Sequence, residues 1–153
     1  ASFCGKACQK VAWPGHKKEC RRVMRERAKV LDGIAAAYAA DEAMAAEKCR
    51  ADVSRCPGAE CYICGNDKYW KGELVRGCSC RGPHAGFVHV RCLVANAEVK
   101  GEDGEDEAYV RALGTCGQCR QKFTGAVDVA LKRAELLRAV WKSMFEGSFL
   151  GPD

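Results

Sequence analysis

The chain has no apolar run close to the roughly 20 residues a membrane-spanning helix needs. Its first residues also lack the basic-then-apolar layout of a secretory leader. Neither feature is therefore expected within residues 1–153. Charge of one sign is scarce as well: 25 basic residues against 20 acidic give +5. Aromatics make up only 8%, and none is interleaved with the basic run Arg21, Arg22, Arg25 and Arg27. A nucleic-acid signal would need that interleaving or a much larger positive excess, so the run reads as a solvated helix face. The acidic, glycine-containing run between Val99 and Glu107 lacks the ligand spacing of an EF-hand. It reads as a solvated loop.

Cysteine, by contrast, is abundant: 12 in 153 residues. A chain of this length can hold one ordinary domain or two small metal-stapled ones, and the cysteine count favours the second. Close cysteine pairs are the usage of a reducing compartment, where they serve as metal ligands rather than disulfide partners, so a cytoplasmic or nuclear protein is expected. Four such pairs follow one another: Cys61 with Cys64, Cys78 with Cys80, His89 with Cys92, and Cys116 with Cys119. Structural zinc takes four ligands from thiolate and imidazole, and pairs held on tight turns lower the cost of ordering them. Eight ligands make two zinc ions. Seven thiolates set against two divalent ions remove three charges, which leaves the loaded chain near +2 and weakens the nucleic-acid reading further. His84 competes with His89 as a ligand, but only His89 stands in a short His-x-x-Cys pair. A thiolate held by structural zinc is no nucleophile, so no catalytic residue is expected.

The spacing and local sequence of these pairs, Cys61-Tyr-Ile-Cys64, Cys78-Ser-Cys80-Arg-Gly, Phe87-Val-His89-Val-Arg-Cys92-Leu93 and Cys116-Gly-Gln-Cys119, resemble the RING-CH finger. The resemblance covers residues 61–119. It implies a cross-braced module with Cys61, Cys64, His89 and Cys92 on one zinc and Cys78, Cys80, Cys116 and Cys119 on the other. It also implies docking of a ubiquitin-conjugating enzyme by an apolar groove, with Ile63 and Leu93 as contacts. Both residues are equally readable as part of the module's own core. The family commonly has Trp three positions after that Leu. Here the position is Asn96, and Trp70 is the one candidate substitute. PHD fingers, readers of histone tails, share the ligand order but usually carry an aromatic where this chain has Gly114.

The opening segment, Phe3-Cys4-Gly-Lys-Ala-Cys8-Gln9 through Trp13 to His16-Lys17 and Cys20, resembles the second half of a MYND finger, a protein-interaction module. The resemblance assigns Cys4 and Cys8 to one zinc and His16 and Cys20 to another, with the remaining ligands expected before Ala1. Collapse of these four onto a single ion, a third zinc for the chain, is the alternative. Cys49 and Cys56 fit neither motif and read as spare thiols.

Between the motifs, Val23, Leu31, Ile34 and Tyr38 recur at helical spacing, interrupted by Gly33, and predict a partly exposed linker helix over about 21–52 that ends before Pro57-Gly58. Val129, Leu136, Leu137, Val140, Trp141 and Met144 predict an amphipathic helix over about 126–145. The expected fold is a small zinc-stabilised α+β one, a cross-braced RING-like finger flanked by helices with a truncated MYND finger at the N-terminus. Its parts are a partial MYND finger at 1–20, a linker helix at 21–55, the RING-CH-like finger at 56–124 and a C-terminal helix at 125–153. Three functions remain open: a ubiquitin-ligase-like module, a non-catalytic protein-binding scaffold, which Asn96 favours, and a histone reader.

Overall fold

The structure is a computed structural model that describes residues 13–67, 72–101 and 106–145, with the side chains of 13–17, 20 and 145 outside that description. The elements are α1 (Trp13–Ser54), β1 (Leu74–Val75), β2 (Val88–His89), α2 (Val90–Lys100), α3 (Asp106–Gly114) and α4 (Gly125–Phe145). The fold is thus a small helical one with a single short two-stranded sheet among the described residues. No helix among them is long and apolar enough to cross a membrane. The chain divides into two compact units, residues 1–36 with 136–153, and residues 37–135.

α1 begins at Trp13 rather than near residue 21. Pro14 is no obstacle, because a first-turn residue has no helical acceptor for the N–H that proline lacks. Gly33 in its interior costs about 1 kcal/mol relative to Ala. Pairs such as Arg22 with Glu26 at 3.0 Å and Arg50 with Glu47 at 2.6 Å return a few tenths of a kcal/mol each. In the first unit, Arg27 donates to the carbonyl of Met144 at 2.8 Å. No described residue of that unit is fully buried.

The core lies in residues 37–135. α1 there is more than a linker: Ala45, Ala46 and Cys49 are buried, with Tyr38 and Val53 packed against the core. The Cys49 thiol is not merely spare. It accepts the Arg76 N–H at 3.2 Å and faces the Arg76 carbonyl at 3.4 Å, and burial raises its pKa. β1 and β2 pair antiparallel in the register Leu74 to His89 and Val75 to Val88, all four buried. α2 follows β2 directly, so His89 closes a strand and Cys92 falls in the first helical turn.

The segment between Val99 and Glu107 is not wholly loop. α2 continues through Lys100, and α3 starts at Asp106 with Asp106 and Glu107 in its first turn, where the helix dipole favours negative charge. α3 buries Tyr109 and Leu113, four apart on one face, and packs on α2. α4 agrees with the expected helix in extent but not in face: it buries Val127, Ala130, Leu131 and Ala134, the i, i+3, i+4, i+7 stripe of a helix with one core face, while Val129, Leu136 and Trp141 of the expected stripe are exposed. Its start sits close to the strand end: a Cβ on Gly77 would lie 2.6 Å from that of Val127.

Candidate metal centre

Two stretches of chain fold into the same turn. In the first, the Cys61 N–H bonds to the Asn66 carbonyl at 2.9 Å and the Gly65 N–H to the Cys61 carbonyl at 2.8 Å. In the second, the Cys116 N–H bonds to the Gln121 carbonyl and the Arg120 N–H to the Cys116 carbonyl, both at 2.9 Å. The residue after the second cysteine is left-handed in each, Gly65 at φ 69° and Arg120 at φ 58°. For glycine that conformation is free, whereas for arginine it costs roughly 1 kcal/mol or more.

The other two pairs come from different local structures. His89 and Cys92 straddle the β2–α2 junction, three apart, so a helical turn brings them to one side. Both are buried. Cys78 and Cys80 lie in the loop after β1, held from two sides. Arg76 donates to the Cys80 carbonyl while its guanidinium lies 5.3 Å from the Phe87 ring centroid. The Gln118 side-chain carbonyl accepts the Gly86 N–H at 2.9 Å and faces the Cys80 thiol at 3.6 Å.

These pieces gather the donors into two groups, Cys61, Cys64, His89 and Cys92 in one and Cys78, Cys80, Cys116 and Cys119 in the other, each with all donor atoms within 4.8 Å of one another. Zinc bonds of about 2.3 Å to sulfur and 2.0–2.1 Å to nitrogen make a tetrahedron with S···S edges near 3.8 Å and S···N edges near 3.6 Å. The Cys80 and Cys116 sulfurs are 3.7 Å apart. His89 Nδ1 lies 3.4 Å from the Cys64 sulfur and 3.7 Å from that of Cys92. These three edges match a zinc tetrahedron, and His89 presents Nδ1 to the group. His84 is exposed and stands in neither group.

The thiols are not equivalent. Burial raises Cys78, Cys80 and Cys92, the last to about 12, with the neighbouring thiols adding to the effect at Cys80 and Cys92. Burial would raise Cys64 too, but the Asn66 backbone N–H, its side-chain amide and the nearby Cys61 and Cys92 outweigh it. Cys119 is drawn down to about 7, chiefly by the Gln121 N–H, against a smaller opposing burial. Each turn thus favours the thiolate of its second cysteine through the backbone N–H two residues on. The metal must displace protons from Cys80 and Cys92, whose pKa values are raised. Four protein donors complete each tetrahedron, the arrangement of structural zinc.

The expected contact residues part company. Ile63 is 39% exposed beside the first group, whereas Leu93 is 2% exposed and belongs to the core. Burial removes Leu93 as a direct partner contact. It instead lies at the base of a groove of about 450 Å³, which Tyr62, Asn96, Lys100, Arg111 and Arg120 also line. Trp70, Cys4 and Cys8 lie outside the described residues, and His16 and Cys20 fall within α1 with their side chains outside them. Sequence reasoning missed Gln118 and Gly86, for which no local signal exists. It also missed Arg120, whose signal is its place after Cys119, matching that of Gly65 after Cys64.

Fold and donor groups together define a small zinc-finger-type module. Independently, the family model of the MYND finger matches residues 1–20. No curated protein and no solved structure matches the chain.

Proposed function

We propose that the chain is a two-zinc, cross-braced protein-docking module of the RING-CH kind, which recruits a ubiquitin-conjugating enzyme and favours transfer of ubiquitin without a nucleophile of its own. The observation that carries this is the interleaving of the two donor groups along the chain, with Ile63 exposed on the turn that forms half of the first. Thiolates tied to zinc leave docking as the module's means of acting. The MYND-type segment at 1–20 supplies a second protein-binding region, suited to short proline-containing peptides. The setting is the cytoplasm or nucleus, where the thiols stay reduced.

The test is discharge of ubiquitin from a panel of charged conjugating enzymes by the zinc-loaded full chain. Ile63→Ala should cut the rate about thirtyfold, the effect of losing about 2 kcal/mol of an anchor, with zinc content unchanged. No discharge from any enzyme would remove the ligase reading. A second reading, a scaffold that binds proteins without promoting transfer, draws on the buried Leu93 and on Asn96 in the groove, which leave less apolar surface than a conjugating enzyme needs.

A further inference from the structure

The groove beside the second donor group holds Leu93 and Asn96, which the docking reading already weighs, but it also carries a charge pattern that reading does not use. Its base is apolar, with Leu93, Ala108 and Ala112, and its rim carries Lys100, Arg111 and Arg120. Among the described residues no acidic side chain lines it. Arg111 pairs with Glu107 one turn away at 2.9 Å, and both side chains are strongly exposed. Exchanging a pair of that kind for a ligand carboxylate costs little.

The rim also contains the one described non-glycine residue with positive φ, Arg120. The first turn, with the same hydrogen bonds, places glycine at that position. Arginine at this position carries a backbone cost that glycine would not, and strain held in this way points to a functional contact for its side chain. With a volume of about 450 Å³, the groove is in the range that accepts a ligand-sized apolar group with a few polar anchors.

From these observations we infer that the groove between α2, α3 and the Cys116–Cys119 turn binds an acidic extended segment of a partner protein. One apolar side chain of the segment rests over the half-buried Ala108 and Ala112, and flanking carboxylates meet Arg111, Arg120 and Lys100. Charge complementarity selects this occupant. Single-stranded nucleic acid would need exposed aromatic platforms as well as cations, and the one aromatic residue lining the groove, Tyr62, is half-buried. The inference goes beyond the ubiquitin reading and does not depend on it, since no conjugating enzyme enters its test.

The test is fluorescence anisotropy of the zinc-loaded full chain with a short labelled peptide in which Asp and Glu flank a single Leu. The acidic peptide should bind at least about tenfold more tightly than its Asn/Gln counterpart, a difference of about 1.4 kcal/mol. Arg111→Glu and Arg120→Glu should each weaken it by a similar factor, while Arg55→Glu, the same charge change away from the groove, should leave it within about twofold. Arg120→Gly separates function from structure: it should raise the thermal midpoint and weaken the peptide together. Equal binding of acidic and neutral peptides would overturn the inference. So would equal losses in Arg55→Glu and Arg120→Glu, or tighter binding of a single-stranded RNA than of the peptide. Failure here leaves the discharge assay untouched, and a silent discharge assay leaves the peptide result standing.

Discussion

Gly86 offers the sharpest test of how the second donor group is held. Its φ is 81°, and a Cβ there would lie 2.8 Å from the Cys80 Cβ, 2.9 Å from the Cys78 sulfur and 3.3 Å from the Cys80 sulfur. Two costs follow from Gly86→Ala. The left-handed backbone adds about 1–2 kcal/mol for a residue with a side chain, and crowding in a packed site adds about 1–3 kcal/mol. Ordinary contact begins near 3.4 Å, so the Cys78 sulfur must retreat by about 0.5 Å, more than the roughly 0.2 Å that zinc–ligand distances tolerate. The variant should therefore lose about 2–5 kcal/mol and release one of the two ions of residues 61–119 to a competing chelator well before the other. Gly58→Ala is the control, because its φ is 79° but nothing lies within 4 Å of the added carbon. It should show the backbone cost alone, lowering the midpoint by about 4–8 °C per kcal/mol and leaving both ions in place. Chelator titration with a zinc indicator and circular-dichroism melts read both quantities. If Gly86→Ala and Gly58→Ala behave alike, the crowding argument is wrong.

At Gly77, an added methyl would meet Val127 at 2.6 Å, so Gly77→Ala should cost about 1–3 kcal/mol in a denaturant melt. Adding Val127→Ala should then cost less than it does alone, and strict additivity would refute the contact. Zinc counted by elemental analysis after Cys4→Ser and Cys8→Ser should still be two per chain, and chelation should unfold residues 37–135. Persistence of the far-ultraviolet spectrum without metal would show that the core stands by itself. With pH, the depressed Cys119 contributes in the metal-free chain above its unfolded value, and that contribution is lost as pH falls through about 7. The raised Cys92, near 12, keeps its proton at neutral pH until metal displaces it. Zinc binding at pH 7.5 should therefore release protons, seen as buffer-dependent calorimetric heats, and zinc should be lost on acidification toward about pH 5. Heats that do not vary with buffer would contradict this.

The ligand pairs were legible because close spacing of Cys and His is local, and local order costs little entropy to recognise or to form. The grouping of pair one with pair three and of two with four came from resemblance, and the structure gathers the same atoms. α4 was legible as a helix, but its core face was not: the large apolar residues that suggested the stripe include the exposed Val129, Leu136 and Trp141, and the buried face is built from Val127, Leu131 and two alanines. α3 was not, because its acidic first turn merged with the acidic run before it, and only Tyr109 and Leu113 carried the helical period. The burial of Leu93 and the clash space at Gly86 depend on what folds over them from elsewhere, and no window of sequence contains that.

The interleaved grouping has a consequence for a chain made from its N-terminus onward. The first donor group cannot be completed until Cys92 has emerged, and by then Cys78 and Cys80 already lie inside the loop it closes. Their own partners, Cys116 and Cys119, are made later still. During synthesis two thiols thus sit beside an assembled group with no partners of their own, open to the wrong metal neighbour or to oxidation. The module is vulnerable while residues 93–119 are being added.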